Sequence, residues 1–332
     1  MKIGIIGAGS WGTALAIHLA GLKHDICMWD LDTEHLRRMA EDRENKDYLP
    51  GIVLPNNIHM EFDEAKALKD AEIALFSVPA QHFGGAFTNA LAMLPENATI
   101  VNVAKGIDQN SLKTMSQIAL EIKPDAKYVV LSGPSHAEEV GRNLPAAVVV
   151  ASNTKECSRY VRDVFMDENF RIYVNDDMIG VELGGSLKNI IALGAGISDG
   201  LGFGDNAKAA MMTRGIVEMT RLGVKMGADP ASFSGLSGIG DLIVTCCSMH
   251  SRNRRCGILI GKGMDPKDAV KEVGMVVEGM CTADSAYRLA KQLDVNMPIT
   301  EAIYNVVHGN ITAEDAVNAL MNRSKKHEKD YV

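Results

Sequence analysis

"MKIGIIGAGSWG", Met1–Gly12, is the stretch on which the fold turns. Lys2–Gly7 is a short apolar run and reads as a buried strand. It passes directly into Gly7, Gly9 and Gly12, a G-x-G-x-x-G, and the residues from about Ser10 to Gly21 read as a helix. Strand, glycine turn and helix in that order form a dinucleotide-binding opening, and each glycine then has its own task. Gly7 makes the tight turn, Gly9 lets a pyrophosphate reach the backbone, and Gly12 lets helix and sheet pack closely. The first N–H groups of the helix face the phosphates. The apolar stretch is too short, and ends too abruptly in glycines, to read as a signal peptide.

Working outward, further strands are expected at Asp25–Asp30, Glu72–Val78, Thr99–Ala104, Lys127–Gly133, Ala146–Ser152 and in "FRIYVN", ending at Asn175. Helical patterns separate most of them. Near-continuous apolar strands alternating with helices predict a Rossmann-type, doubly wound parallel sheet covered on both faces. After about Asp177 the strand signals stop, and the rest reads as helices. Asp265 caps one that has Pro266 in its first turn, and Thr312 caps another. The reading is therefore an α/β dinucleotide-binding domain over 1–177 and an all-α substrate-binding domain over 178–332. The charged tail "RSKKHEKDYV" reads as loosely held.

The chain of 332 residues is long enough for two domains. Lys plus Arg number 34 against 42 acids, a formal net charge of -8. That balance calls for neither nucleic acid nor an anionic membrane surface. No apolar run is long enough to span a bilayer, so a cytoplasmic location is expected. The six cysteines form no Cys-x-x-Cys and read as free thiols of a reducing compartment. "CCSMH" gathers Cys246, Cys247 and His250, but no second pair has zinc-like spacing, so no metal is expected.

Asp30 closes the second strand at the distance from the glycines where a carboxylate accepts the ribose 2′-OH of NAD and repels the 2′-phosphate of NADP. No Arg or Lys stands beside it in "MWDLDTEH", so NAD(H) is favoured over NADP(H). Asp32 reads equally as a helix cap. Lys105 follows the strand ending near Ala104, where ligands of open α/β sheets bind. Gly133, Pro134 and Ser135 turn the chain after the next strand, with Ser135 placed to cap a helix from about His136.

In the helical half, "ELGGSLKNIIALGAGISDG" (Glu182–Gly200) sets Lys188 on a face made by Gly184, Gly185, Ile191, Ala192 and Ala195. Such a face is built for close approach, so the ammonium either snorkels out or is partly desolvated. Asp241 and Thr245 share a helix face. Ser251, Arg252, Asn253 and Arg254 then form a polar, cationic cluster suited to a phosphate ester, unless its arginines are simply solvated.

"GAGSWGTALA", "VAKGI", "LSGPSHAEEV", "GGSLKNIIALGAGISDGLGFGDNAKAA", "SGIGDLIVTCCSMHSRNRRCG" and "VVEGM" together resemble the bacterial-type NAD(P)-dependent glycerol-3-phosphate dehydrogenases. The resemblance runs from the first strand to about Ala283 and continues more weakly beyond. It implies interconversion of sn-glycerol 3-phosphate and dihydroxyacetone phosphate by hydride transfer at C2, supplying glycerophospholipid synthesis. It implies that Lys188 is the proton acceptor and donor, and that Lys105 touches substrate and cofactor. Gly133, Ser135, Asp241, Ser251, Arg252 and Asn253 match substrate contacts. Ser10, Trp11, Ala137, Arg252, Val276 and Glu278 match cofactor contacts. The family often carries a basic residue near Leu31–Asp32; this chain does not, which agrees with the Asp30 argument. A homodimer would cover an apolar face of the helical domain. The rival readings are a two-domain hydroxy-acid or sugar-acid dehydrogenase and a dinucleotide-binding redox sensor with no need of Lys188, Asp241 and Arg252 together.

Overall fold

The computed structural model describes residues 1–325, 327 and 328; the end of the charged tail, Lys326 and 329–332, lies outside the described residues. The chain divides into two compact units. The first is Met1–Ala104 with Met115–Met178, and the second is Lys105–Thr114 with Ile179–Val332.

The first unit holds strands β1 (Lys2–Ile6), β2 (Asp25–Trp29), β3 (Glu44–Asn45), β4 (Leu49–Val53), β5 (Ile58–Met60), β6 (Ile73–Phe76), β7 (Thr99–Asn102), β8 (Lys127–Ser132), β9 (Ala146–Ser152) and β10 (Phe170–Asn175). Its helices are α1 (Ser10–Gly21), α2 (Thr33–Asp42), α3 (Glu64–Leu68), α4 (Phe83–Leu91), α5 (Met115–Ile122), α6 (Ala137–Val140) and α7 (Lys155–Phe165). Eight strands form one sheet in the order β10-β9-β8-β7-β6-β1-β2-β5. β1 is central, which is why its run is apolar on both faces: Ile3, Ile5 and Ile6 are fully buried.

The sheet departs from the expected all-parallel form at one junction, where β8 and β9 pair antiparallel. Hydropathy does not report strand direction; "AAVVVAS" is a doubly covered run either way. The edge strand β5 and the small antiparallel pair β3–β4 lie in a Pro- and Gly-containing stretch that carries no strand pattern.

The second unit holds helices α8 (Met178–Gly200), α9 (Asp205–Lys225), α10 (Asp241–Cys247), α11 (Arg252–Gly261), α12 (Pro266–Val273), α13 (Glu278–Gln292), α14 (Pro298–Val307) and α15 (Ala313–Met321). α8 is its axis, buried continuously from Gly180 to Ser198. Glycines cost about 1 kcal/mol each in a helix, so neighbours rather than propensity must hold α8. Its small residues admit backbone directly: a Cβ on Gly184 would lie 2.6 Å from the Ser237 carbonyl oxygen, and one on Gly196 2.1 Å from that of Arg254. Elsewhere a buried carboxylate, Glu218 of α9, accepts the Ile299 and Thr300 N–H groups and caps α14. Burial pushes that carboxyl up to about 7, against the pull of those hydrogen bonds.

Lys105–Thr114 groups with the helical unit, apart from the strands on either side of it in the chain. The Ser186 hydroxyl, bonded to the Glu182 carbonyl at 2.7 Å, also lies 3.1 Å from the Gly106 carbonyl, and Ser285 donates to the Ile107 carbonyl at 3.0 Å. Ile107 is fully buried in the helical core. These ties run from side-chain hydroxyls to backbone carbonyls, so no hydropathy pattern announces them.

Candidate active site

In the first unit the glycine turn has the shape that its spacing predicts. Gly7 has φ +102°, and a Cβ there would lie 2.5 Å from the Ser77 carbonyl oxygen. A Cβ on Gly12 would lie 2.2 Å from the Gly7 carbonyl oxygen, whereas one on Gly9 meets nothing within 4 Å. Gly9 is the N-cap of α1 and supplies no side-chain cap. The helix end beginning at Ser10 therefore keeps donors for an anion. The buried indole Nε1 of Trp11 has no hydrogen-bond partner. An open glycine face, uncapped N–H groups and an orphaned donor fit a dinucleotide pyrophosphate.

Asp30 is held from both sides: one oxygen accepts the Ala8 N–H at 2.7 Å and the other the Asp32 N–H at 3.0 Å. Asp32 caps α2 by accepting the His35 N–H. Leu31 points into solvent. Gly133 takes φ +134°, with its backbone against Val148. The cap expected from Ser135 does not form. Its hydroxyl instead donates to the Gly133 carbonyl at 3.0 Å, and His136 is the N-cap of the four-residue α6, which starts at Ala137. A serine two residues after a glycine closes the local turn before it can reach the helix.

In the second unit the decisive group is Lys188. It is buried, and its Nζ donates to Asp241 Oδ1 at 2.5 Å and to Thr245 Oγ1 at 2.7 Å. Lys105 Nζ meets the other Asp241 oxygen at 2.7 Å. Thr245 in turn donates to the Asp241 carbonyl at 2.6 Å. One turn of α10 thus places carboxylate and hydroxyl on one face. The close approach at Gly184 explains why they reach Lys188: Gly184 and Lys188 are one turn apart on α8, as Ser237 and Asp241 are along the chain that enters α10. That entry is a wide π-type turn, Leu236–Gly240, with Gly238 out of helical range.

Burial is the largest influence on Lys188 and lowers its pKa to about 8; Asp241 pulls it up and Lys105 pushes it down. For Asp241 burial works upward, but the charges and hydrogen bonds of Lys105 and Lys188 outweigh it and hold the carboxyl below its ordinary value. The centre is a carboxylate bridging two ammoniums, with one Lys188 hydrogen left for another acceptor.

Ser251 is the N-cap of α11, accepting the Arg254 N–H, so Arg252 and Asn253 open that helix. Asn253 is buried. Its amide donates to Asn189 Oδ1 at 2.9 Å and accepts the Gly279 N–H at 2.8 Å. The same side chain therefore ties α8 to the first turn of α13, next to Glu278. Val276, two residues before Glu278, is exposed. Asn189 carries no signal in the sequence beyond its adjacency to Lys188 on a buried helix.

Models of the NAD-dependent glycerol-3-phosphate dehydrogenase N-terminus and C-terminus match residues 2–158 and 177–318. The chain belongs to this dehydrogenase family. A "Glycerol-3-phosphate dehydrogenase [NAD(P)+]" of Pelotomaculum thermopropionicum is 53% identical over 334 residues, covering 100% of this chain and 96% of that protein. One from Thermoanaerobacter is 54% identical over 329 residues, covering 99% of each. The crystal structure of glycerol-3-phosphate dehydrogenase from Coxiella burnetii superposes with TM-score 0.94 at 37% identity, covering 97% of this chain and 99% of that one. Within this dehydrogenase family member, Lys105, Lys188, Asp241 and Thr245 form one bonded cluster of the second unit. Gly7, Gly9, Ser10, Trp11, Gly12 and Asp30 form the opening of the first.

Proposed function

We propose that this chain interconverts sn-glycerol 3-phosphate and dihydroxyacetone phosphate with NAD(H). The observation that carries the reading is the buried Lys188 ammonium, held by Asp241 and Thr245 with a pKa lowered to about 8. A bound nicotinamide supplies or accepts the hydride at C2.

In the reducing direction the C2 oxygen gains negative charge, and Lys188 gives it a proton from Nζ. A donor whose pKa lies near the working pH is suited to this, and such transfer typically contributes about 10²–10⁴-fold. Asp241 stays ionised and orients the ammonium; held low by two cations, it is not itself the donor. Thr245 accepts from Nζ and passes the alignment on to the Asp241 carbonyl. Lys105 contacts substrate and cofactor beside Asp241. In the helical unit Ser251, Arg252 and Asn253 hold the phosphate end, where a guanidinium supplies binding energy remote from the reacting carbon; in the first unit Gly133 and Ser135 are the substrate contacts.

The α1 N-terminus and the glycines hold the pyrophosphate, with Ser10 and Trp11 beside them. Ala137 is a further dinucleotide contact of the first unit, and Arg252, Val276 and Glu278 are those of the helical unit. Preference for NAD(H) is supported by Asp30, already oriented by two backbone N–H groups, and by Leu31 and Asp32 offering no cation for a 2′-phosphate. We place the enzyme in the cytoplasm as a homodimer whose product enters glycerophospholipid synthesis. No described helix is long and apolar enough to cross a membrane.

The test follows NADH absorbance with dihydroxyacetone phosphate, oxaloacetate and ketopantoate, in wild type and in Lys188→Met. Only the first substrate should turn over. The variant should fold, bind NADH and lose at least about 10²-fold in kcat. Near-normal turnover removes Lys188 from the chemistry, and a Michaelis constant much lower for NADPH than for NADH overturns the cofactor preference.

A further inference from the structure

Arg254 stands in the cationic run after the Ser248–Ser251 turn, yet it is neither solvated nor free for a ligand. Its Nε and Nη2 both reach Asp199 Oδ2, at 2.8 and 2.7 Å, and its side chain is 13% exposed. Nη1 donates to the Cys247 carbonyl at 2.8 Å and contacts Met249 Sδ. The remaining Asp199 oxygen takes Lys208 Nζ at 2.9 Å. One guanidinium therefore ties the last turn of α8, through Asp199 the first turn of α9, the C-terminal carbonyl of α10 and the first turn of α11. Those helices carry Lys188 (α8), Asp241 and Thr245 (α10), and Arg252 with Asn253 (α11).

We propose that Arg254 is a positioning residue for phosphate recognition: it clamps the Ser248–Ser251 turn so that Ser251 and Arg252 stand at a fixed distance from the Lys188–Asp241–Thr245 centre. The inference rests on the phosphate-ester reading above. The turn is four residues long and joins the helix of the proton-transfer centre to the helix of the phosphate handle. Without a strut across it, α11 keeps its place on α8 through the Asn253–Asn189 hydrogen bond and the backbone contact at Gly196, but neither holds the turn itself. Displacement of a substrate handle by about 1 Å is enough to cost about 10²-fold in rate. Lysine cannot replace the strut, because a single ammonium lacks the planar fork that addresses a carboxylate and a carbonyl together.

The experiment compares Arg254→Gln, Arg254→Lys and Asp199→Asn with wild type, using dihydroxyacetone phosphate and unphosphorylated dihydroxyacetone. Each variant should lose about 10–100-fold in kcat/KM for the phosphorylated ketone, mostly in KM. It should change less than about threefold for dihydroxyacetone, with NADH affinity kept. The double variant Arg254→Gln/Asp199→Asn should be no worse than either single one, because both remove one strut. Equal losses on both ketones, an unchanged preference for phosphate, or failure of all three variants to fold would overturn the proposal and leave the network a purely structural one. If wild type itself ignores dihydroxyacetone phosphate, it is the enzymatic reading that fails, and the two failures are distinct.

Discussion

Lys188 shows how far one side chain's environment reaches into function. Its sequence context, glycines and alanines one turn away on either side, already placed a cation on a face made for close packing. That environment removes water from the ammonium, and Asp241 only partly offsets the loss, so the pKa falls to about 8. The consequence for stability follows from linkage. The folded state releases the proton first, so between about pH 8 and 10.5 the unfolded chain binds more protons, and this residue's contribution becomes more favourable as pH rises. Below pH 8 the full desolvation cost is carried. For catalysis the sign is opposite in the two directions. On the proton-donor role proposed for Lys188, reduction of dihydroxyacetone phosphate needs the ammonium, so kcat/KM should fall as pH rises through about 8, while oxidation of glycerol 3-phosphate should rise over the same interval. Profiles measured in both directions check this, and a flat reductive limb up to pH of about 10 would take proton donation away from Lys188.

Among elements, the lesson is how two helices meet. α1 and α8 were legible because each joins a strong local signal to its neighbours: a strand-to-glycine switch for α1, a long small-residue face for α8. The Asp241–Thr245 pair was legible because one helical turn puts both side chains on the same face. The tie from Asn253 to Asn189 and Gly279 was not, because two buried amides and a backbone N–H leave no periodic trace. The antiparallel β8–β9 junction was equally hidden, since burial constrains composition and not direction. The approach of α8 to the turn before α10 can be tested at Gly184. In Gly184→Ala the new methyl would stand 2.6 Å from the Ser237 carbonyl oxygen, and backbone must move to admit it. Overpacking of this kind costs about 1–3 kcal/mol. The displaced turn carries Asp241 away from Lys188. The variant should melt several degrees lower yet keep its NADH affinity, and lose more than about tenfold in kcat. Unchanged turnover at a lowered melting temperature would show that the close approach serves stability alone.

At the scale of the molecule, the two units draw on different kinds of information. The sheet announces itself through runs buried on both faces, and the helical unit through periodicity and caps such as Asp265 and Thr312. The allegiance of Lys105–Thr114 could not be read that way, because hydroxyl contacts from Ser186 and Ser285, the Arg288 guanidinium on the Gln109 carbonyl and two apolar anchors, Ile107 and Leu112, decide it. This bears on the site proposed above, since Lys105 begins the segment and pairs with Asp241 of the helical unit. Removing the Ser285 hydroxyl takes away a donor whose loss costs about 1–3 kcal/mol where the acceptor is buried. Ser285→Ala should therefore raise amide exchange across 106–114 and in α13, and reduce turnover through Lys105. Exchange in β1, β6 and β7 should stay at the wild-type rate, because those strands belong to the other unit. If the segment's amides instead exchange with β7 and ignore the substitution, Lys105 is carried by the sheet, and its pairing with Asp241 must be maintained by something other than the helical unit's grip on residues 106 and 107.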